Sequence, residues 1–424
     1  MTNARAVKTA ETDNVYQYRN EAGIFEALIS GDFSVYLHGF SALDYWLNGS
    51  IAADIRILTS ADISDLARLF ENLRYPGADI GDAALDFEGG SCYFTCGDSE
   101  KALIQNRPDF ASFSLLEFYF DLKTRRFYDP REIYPLLRQI RDLRRGLGRD
   151  GKRETDFTFS VLRDTLNSGA ERTRALMDGA LILAKYFPGG ECGGRIEQIA
   201  GLFSGLPPDP PPREEEQRRL LTGLLTGCNP GFGLELLKNG GFIGKFWPEL
   251  EILDDVDHSK EFHPEGNAWK HTLETFRYRK NAAVYDLRLS LGLLLHDTGK
   301  PIAESSGSRR FDGHAELGER QSRRFLERLG FSAPLVDDVC YLVRNHMFPA
   351  ALPRLPLIRT GGIMASPLFP TLLELYRCDE SSSFKGLDAY YESSAAYQSY
   401  LRYRRNPYRS ADGKKLNQER QFLG

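Results

Sequence analysis

The spacing of hydrophobic and polar residues changes along the chain and divides it into regions of different predicted structure. Residues 32–130 show the alternation typical of short strands, interrupted by stretches with helical spacing. The strand-like runs are 34–38, 54–58, 85–88 and 92–96, and the helix-like runs are 41–47 and 63–73. The last two strand-like runs lie on either side of a glycine pair and predict a hairpin. We therefore expect a small mixed sheet with helices in this region.

From residue 131 onward the apolar residues recur at helical spacing. The exception is the stretch 206–212, in which five of seven residues are proline, so it predicts a linker. This pattern divides the chain into a head (1–130), a helical neck with its linker (131–212) and a helical domain with a C-terminal tail (213–424). The predicted fold class is an α/β head followed by an all-α neck and an all-α C-terminal domain.

Composition narrows the class of protein only a little. The 424 residues are 42% hydrophobic and 27% charged, with a formal net charge of −5, as in ordinary globular proteins. The sequence has neither a run long enough to span a membrane nor an apolar stretch at its start, and its six cysteines are scattered. We expect a cytoplasmic protein with reduced thiols and no membrane partner. Eleven basic and four acidic residues between 123 and 153 suit a phosphate backbone, without indicating DNA specificity.

Histidine is concentrated in one part of the chain, because six of the seven copies fall between His258 and His346. The candidate metal ligands there are His271, His296, Asp297, His314, His346 and Asp379. A mixture of imidazole nitrogens and carboxylate oxygens suits Mn, Fe, Ni, Zn or Mg, and six ligands are enough for one or two ions. Each histidine alone is better explained as a core or capping residue. The six residues together favour a divalent metal centre.

Two of these positions carry predicted chemical roles. Asp297 is the expected bridging ligand and, with Lys300, a candidate catalytic residue, because Lys300 follows it by about one helical turn and suits a substrate phosphate. His263 is expected in a loop near the centre, and His258 on the surface.

The spacing of His271, the pair His296-Asp297 and Asp379 resembles the HD superfamily of metal-dependent phosphohydrolases. Within it, the sequence is most similar to bacterial tRNA nucleotidyltransferases and poly(A) polymerases that carry an HD domain. The segments that carry this resemblance are 233–237 (GLELL), 246–250 (FWPEL), 263–272 (HPEGNAWKHT), 311–314 (FDGH) and 343–347 (VRNHM). It implies an HD domain in the C-terminal half and a nucleotidyltransferase-like head.

The head resembles the same family but departs from it at the positions that carry chemistry. The positions that correspond to the family's motifs are Gly39, Asp44, Asp54, Arg56, Arg107 and Asp109. Two-metal nucleotidyl transfer needs carboxylates at positions i and i+2 of one strand, and here the partner of Asp54 is Arg56. Phe40 stands where the family has a second glycine, and Leu43 where it has an arginine. We interpret the head as nucleotidyltransferase-like in fold and inactive as a polymerase.

Three functions remain open on this basis. The first is a metal-dependent phosphohydrolase in the HD domain, acting on phosphomonoesters or phosphodiesters of nucleotides or RNA ends. The second is the family's addition of nucleotides to an RNA 3′ end, with tRNA as the partner and Asp54 as the surviving metal ligand. The third is a non-catalytic RNA-binding module.

Overall fold

A computed structural model describes most of the chain. The described residues are 6–7, 21–49, 51, 54–77, 80–87, 90–97, 112–145, 151–187, 195–256, 266–282, 285–305, 311–383 and 386–405. They form two compact units, of which the first is Met1–Gly240 with Ala282–Val284 and the second is Gly241–Asn281 with Tyr285–Gly424. Each unit is described by itself below.

A seven-stranded mixed sheet forms the N-terminal part of the first unit. Its strands are β1 (Ala6–Val7), β2 (Val35–His38), β3 (Asp54–Thr59), β4 (Ala83–Phe87), β5 (Gly90–Cys96), β6 (Tyr119–Asp121) and β7 (Arg126–Tyr128). The spatial order is β1-β7-β6-β2-β3-β5-β4. Only β3 and β5 run parallel, and β4 and β5 form the predicted hairpin with Phe87 opposite Gly90.

Nine helices accompany the sheet among the described residues of the first unit. They are α1 (Glu21–Ser30), α2 (Phe40–Asn48), α3 (Ile63–Leu69), α4 (Tyr134–Arg144), α5 (Gly151–Thr165), α6 (Arg172–Tyr186), α7 (Ile196–Ser204), α8 (Glu214–Leu225) and α9 (Pro230–Asn239). A short 3-10 helix covers Ser114–Leu116. The proline-rich stretch 206–212 lies between two helices, since α7 ends at Ser204 and α8 begins at Glu214.

Helix α3 shows how tertiary packing shortens a helix that the sequence predicts as longer. Asp62 caps its start with a capping box, in which the Asp62 side chain accepts from the Asp65 amide. The periodicity predicts a helix to residue 73, but the backbone turns extended at Phe70. The Phe70 ring then stacks on Phe94 of β5, with centroids 5.7 Å apart. Burial of this ring against the sheet outweighs the continuation of a short surface helix.

The described residues of the second unit contain no strand. Their α-helices are α10 (Phe242–Phe246), α11 (Pro248–Glu251), α12 (Ala268–Thr275), α13 (Leu287–Leu295), α14 (Lys300–Ser305), α15 (His314–Arg328), α16 (Ala333–Asn345), α17 (Leu357–Met364), α18 (Phe369–Ser381) and α19 (Asp388–Arg405). Shorter 3-10 helices lie at Ile252–Asp255, Phe276–Tyr278 and Pro349–Arg354. The largest fully buried side chains of this unit include Phe242, Trp247, Trp269 and Phe325.

The predicted fold class, a mixed-sheet head followed by helical regions, is confirmed. The three-part division of the chain at residues 130 and 212 stays a prediction. Across the described residues, no helix combines the length and the apolar character needed to cross a bilayer.

A candidate divalent metal centre

Six side chains of the second unit, all of them ligand candidates from the sequence, gather into two groups of three. The first group is His271, His296 and Asp379, and the second is Asp297, His314 and His346. Within each group the ligand atoms all lie within 4.8 Å of one another. The six residues come from five separate places in the unit: α12, the end of α13, the start of α15, the end of α16, and α18.

One local device orients three of the four imidazoles. His296 and His346 follow the last turns of α13 and α16, and the Nδ1 atom of each lies 2.7–2.8 Å from the carbonyl oxygen three residues earlier. His314 makes the same contact with the Phe311 carbonyl, at 2.8 Å. A carbonyl oxygen can only accept, so Nδ1 must carry the hydrogen in each ring. In the neutral ring, Nε2 therefore presents a lone pair to the centre.

The turn before His314 is conformationally unusual. Phe311 has φ 54°, in the left-handed region that bulky side chains rarely adopt, and Gly313 has φ 77°. Phe311 supplies the carbonyl that orients His314, so this backbone strain lies next to a ligand.

The second group brings two imidazole lone pairs together. The Nε2 atoms of His314 and His346 are 3.1 Å apart, and both Nδ1 atoms already donate to carbonyls. Burial lowers the pKa of His314, and burial together with the nearby His296 lowers the pKa of His346 to about 4. Both rings are therefore neutral near pH 7. Two lone pairs at this distance repel each other unless a cation lies between them.

The first group shows the same need for a cation. The His296 Nε2 atom is buried and makes no hydrogen bond with any described residue. It lies 4.0 Å from Asp379 Oδ1, which is 3.0 Å from His271 Nε2. Burial opposes ionisation of Asp379, yet its hydrogen bond with His271 lowers its pKa below the ordinary value. A buried nitrogen that makes no hydrogen bond, beside ionised carboxylates, is an arrangement that suits a cation.

Asp297 lies between the two groups. Its Oδ1 atom faces the second group, 3.9 Å from His314 Nε2 and 4.0 Å from His346 Nε2. Its Oδ2 atom lies 3.4 Å from His296 Nε2 and accepts a hydrogen bond from Lys300 Nζ at 2.6 Å. Burial opposes ionisation of this carboxyl group, but the adjacent His296 ring and, to a smaller extent, the Lys300 ammonium group hold its pKa well below the usual value. The carboxylate thus offers one oxygen to each group.

These separations fit a divalent ion. Ligand atoms about 2.1 Å from one ion can be at most about 4.2 Å apart. In the second group, the distances of 3.1, 3.9 and 4.0 Å all fall within that limit. In the first, the distances of 3.0 Å from His271 Nε2 and 4.0 Å from His296 Nε2 to Asp379 Oδ1 also fall within it. The residues present therefore fit a divalent metal, and three of the four imidazoles are already turned towards the centre by their Nδ1 contacts.

A glycine contact fixes the segment that carries Asp297 against α15. A Cβ atom on Gly299 would lie 1.9 Å from the His314 carbonyl oxygen and 2.5 Å from the Gly318 amide nitrogen. Gly318 approaches from the other side, where its own Cβ would meet the Gly299 nitrogen at 3.2 Å. The close approach of the two backbones places His314 within reach of Asp297.

In the head, the two described carboxylates that correspond to a nucleotidyltransferase site, Asp44 and Asp54, are each paired with a basic side chain. Asp54 and Arg56 lie on one face of β3, as residues two apart must. The Asp54 carboxylate lies 3.4 Å from the Arg219 guanidinium, which stacks on the Tyr93 ring at 3.9 Å. Burial, followed by the charge of Arg219, lowers the pKa of Arg56 to about 10, so it stays cationic at neutral pH. Two guanidiniums therefore stand beside the one remaining carboxylate of this strand.

The second carboxylate of the predicted head site is also engaged. Asp44 is buried on α2 and accepts from Lys185 Nζ at 2.6 Å and from the Tyr186 hydroxyl at 2.9 Å. Burial and the Asp44 charge raise the pKa of Tyr186 well above its ordinary value, so the hydroxyl remains a donor. Gly39 precedes α2 with φ 58°, a left-handed backbone position that favours glycine.

The Asp86 carboxylate on β4 is bound at both oxygens by Arg74 and also by the Ser91 hydroxyl. Arg107, Asp109, His258 and His263 lie outside the described residues.

Ser382 contacts the candidate ligands and was not predicted from the sequence. The Ser382 hydroxyl lies 3.3 Å from His271 Nδ1 and donates to the Asp379 carbonyl oxygen at 2.6 Å. The only signal in the sequence is its position, about one helical turn after Asp379.

One protein-family match covers the part of the chain that carries most of the candidate ligands. Residues 268–372 match the HD domain family, so five of the six candidate ligands fall inside the match and Asp379 lies just beyond it. A CC-adding tRNA nucleotidyltransferase of Thermus thermophilus is 34% identical over 168 residues, which are 38% of this chain and 37% of that protein. A multifunctional CCA protein of Halorhodospira halophila is 34% identical over 116 residues, or 27% of each chain. The chain thus spans less than two fifths of the length of either relative.

Among solved structures, a Bacillus stearothermophilus CCA-adding enzyme in complex with CTP aligns with 92% of this chain and 83% of its own. The sequence identity is 14% and the TM-score is 0.43.

Proposed function

We propose, from the premise that this chain carries an HD domain and is a homologue of bacterial CCA-adding tRNA nucleotidyltransferases, that its centre hydrolyses phosphoesters. The substrate class is a phosphomonoester or phosphodiester of a nucleotide or an RNA end. The observation that carries the proposal is the pair of three-residue groups that share Asp297 at their boundary. A bound divalent ion supplies a water of lowered pKa and stabilises negative charge on the phosphoryl group.

Each residue of the centre has a defined part in this proposal. His271, His296 and Asp379 would hold one ion, and His314 and His346 the other, with Asp297 between them. Lys300 donates a hydrogen bond to the Oδ2 atom of Asp297, and this contact keeps the carboxylate ionised and oriented. The Lys300 side chain is 15% exposed, and its ammonium group would also meet a substrate phosphate that approaches from the same side.

The head supports this assignment because strand β3 lacks a second carboxylate. Two-metal nucleotidyl transfer requires paired carboxylates on one strand, and β3 presents Asp54 beside Arg56. A guanidinium at the second position repels a divalent ion, and Arg219 already neutralises Asp54. We infer that the head does not polymerise nucleotides.

Nucleotide addition to an RNA 3′ end is the second candidate, because the Thermus thermophilus relative at 34% identity is named a CC-adding tRNA nucleotidyltransferase. It requires that a carboxylate from elsewhere replace the missing one on β3. Incubation of the full chain with tRNA lacking its 3′ end, labelled CTP and labelled ATP tests this candidate. We expect no incorporation, and incorporation that disappears in Asp54→Asn would favour this second candidate.

The central test is Asp297→Asn, which preserves side-chain volume but removes the charge that both groups face. We expect the variant to lose metal, measured by elemental analysis, and to lose hydrolysis of bis-p-nitrophenyl phosphate and 2′,3′-cyclic AMP. Its circular dichroism spectrum should remain that of a folded protein. Asp338→Asn is the matched control, because Asp338 forms a surface ion pair with Arg288 in the same unit.

The two variants separate the possible results. Loss of metal and turnover in Asp297→Asn with both retained in Asp338→Asn supports the proposal. Wild-type turnover in Asp297→Asn would sink the assignment of the centre. A wild-type protein that binds metal without turnover would favour the non-catalytic alternative.

A further inference from the structure

His271 differs from the other three imidazoles of the centre in how it is oriented. His296, His314 and His346 donate Nδ1–H to backbone carbonyls, which no side-chain substitution removes. The Nδ1 atom of His271 instead faces the side chain of Ser382 at 3.3 Å. Mutation of Ser382 can therefore remove the contact that orients the His271 ring.

The hydrogen-bond directions around Ser382 follow from the chemistry of its neighbours. Its hydroxyl lies 2.6 Å from the Asp379 carbonyl oxygen, which can only accept, so the hydroxyl hydrogen points there. The Ser382 oxygen is then left as an acceptor for His271 Nδ1–H. This chain of donors leaves Nε2 as the ring atom that faces Asp379 Oδ1, 3.0 Å away, where a bound ion would take the place of the shared hydrogen.

The same hydroxyl ties together two ligands that are distant in sequence. His271 is on α12 and Asp379 on α18, and they meet at 3.0 Å between Nε2 and Oδ1. Ser382 contacts the imidazole through its oxygen and the backbone of Asp379 through its hydrogen. It is itself only 6% exposed, so water does not readily take over this role.

From this geometry we infer that Ser382 is a positioning residue for the ion held by His271, His296 and Asp379. It acts through His271 by fixing the tautomer and orientation of the ring. Loss of such an outer partner lowers metal affinity by roughly 10–100-fold in comparable sites. The inference rests on the proposed metal centre and extends it to a residue outside the ligand set.

The test measures Mn²⁺ affinity directly, on the full chain stripped of metal, by isothermal titration with Mn²⁺ alone. Ser382→Ala removes the acceptor, Ser382→Thr retains a hydroxyl, and Ser393→Ala removes another buried serine hydroxyl of the same unit. The Ser393 hydroxyl bonds the carbonyls of Pro349 and Ala389. Thermal unfolding of each metal-free variant reports any general loss of stability.

We expect at least one bound equivalent to weaken roughly 10–100-fold in Ser382→Ala and to recover in Ser382→Thr. Ser393→Ala should bind as the wild type does. Unchanged Mn²⁺ binding in Ser382→Ala would overturn the inference while leaving the proposed function intact. Equal weakening in Ser393→Ala would overturn it as well, since that result indicates general destabilisation. A wild-type chain that binds no Mn²⁺ would overturn both.

Discussion

Gly299→Ala tests the backbone contact that places His314 within reach of Asp297. The added methyl group would lie 1.9 Å from the His314 carbonyl oxygen, whereas Cβ contacts in proteins essentially never fall below 3.0 Å. The start of α15 must therefore move by about 1.1 Å, the difference between these two distances. Both partners are backbone atoms, so no side-chain rotation relieves the overlap.

Two magnitudes follow from that displacement. Overpacking costs about 1–3 kcal/mol, and a contact between two backbones belongs at the upper end. For a unit of this size, about 3 kcal/mol lowers the melting temperature by roughly 6–12 °C. The 3.9 Å from His314 Nε2 to Asp297 Oδ1 would also approach 5 Å, beyond the about 4.2 Å that two ligands of one ion can span.

The assays are thermal unfolding of the metal-free chain and titration with Mn²⁺. Gly362→Ala in α17 is the matched control, because its Cβ would meet nothing within 4 Å. Alanine should leave the control unchanged or stabilise it by roughly 0.5–1 kcal/mol. A Gly299→Ala protein with the melting temperature and the Mn²⁺ affinity of the wild type would refute the packing argument.

Three further predictions concern the two units. Asp44→Asn should destabilise the protein by about 3–5 kcal/mol in urea unfolding, because it leaves Lys185 buried without its partner carboxylate. The control is Arg68→Ala, which breaks an exposed ion pair worth about 0–1 kcal/mol. An effect of Asp44→Asn no larger than that of the control would contradict the prediction. Gly233→Ala should lower stability by about 1–3 kcal/mol, since its Cβ would lie 2.6 Å from the Ala180 carbonyl oxygen; a rise in stability would count against the packing of α6 on α9. Chelation should lower the melting temperature of a metal-saturated sample by roughly 5–10 °C, if metal at 100 times its dissociation constant contributes about 2.7 kcal/mol; an unchanged melting temperature would mean that the folded unit gains nothing from the ion.

Local sequence pattern predicted the elements of the head better than it predicted their ends. The strand that carries Asp54 and the hairpin of β4 and β5 occur where period-2 alternation placed them. Helix α3 ends earlier than its spacing predicts, because Phe70 leaves the helix to pack on Phe94. The periodicity of a segment shows which of its faces is apolar. It does not show which distant side chain will pack against that face.

The pairing of ligands could not be predicted from the same pattern. The sequence identified six candidate residues, but their division into two groups depends on the packing of helices that are far apart in the chain. Ser382 escaped notice because an ordinary serine has no sequence signature, and its role arises only from 3.3 Å to a ring 111 residues away.

The head shows the same division. Arg56 at the second position of the strand is visible in the sequence and argues against two-metal chemistry. The position of Arg219, 165 residues beyond Asp54 and stacked on Tyr93, is visible only in the folded unit.

The sequence by itself determined which residue types the chain has for chemistry: clustered imidazoles, the His296-Asp297 step, and a strand with one carboxylate. Only the tertiary structure decided which atoms meet, through the contact of Gly299 with α15 and through the carbonyls that turn three imidazoles inward. The physical reason is range. Propensity and periodicity act over a few residues, whereas coordination and hydrogen bonding need sub-ångström placement of groups that only the packed core brings together.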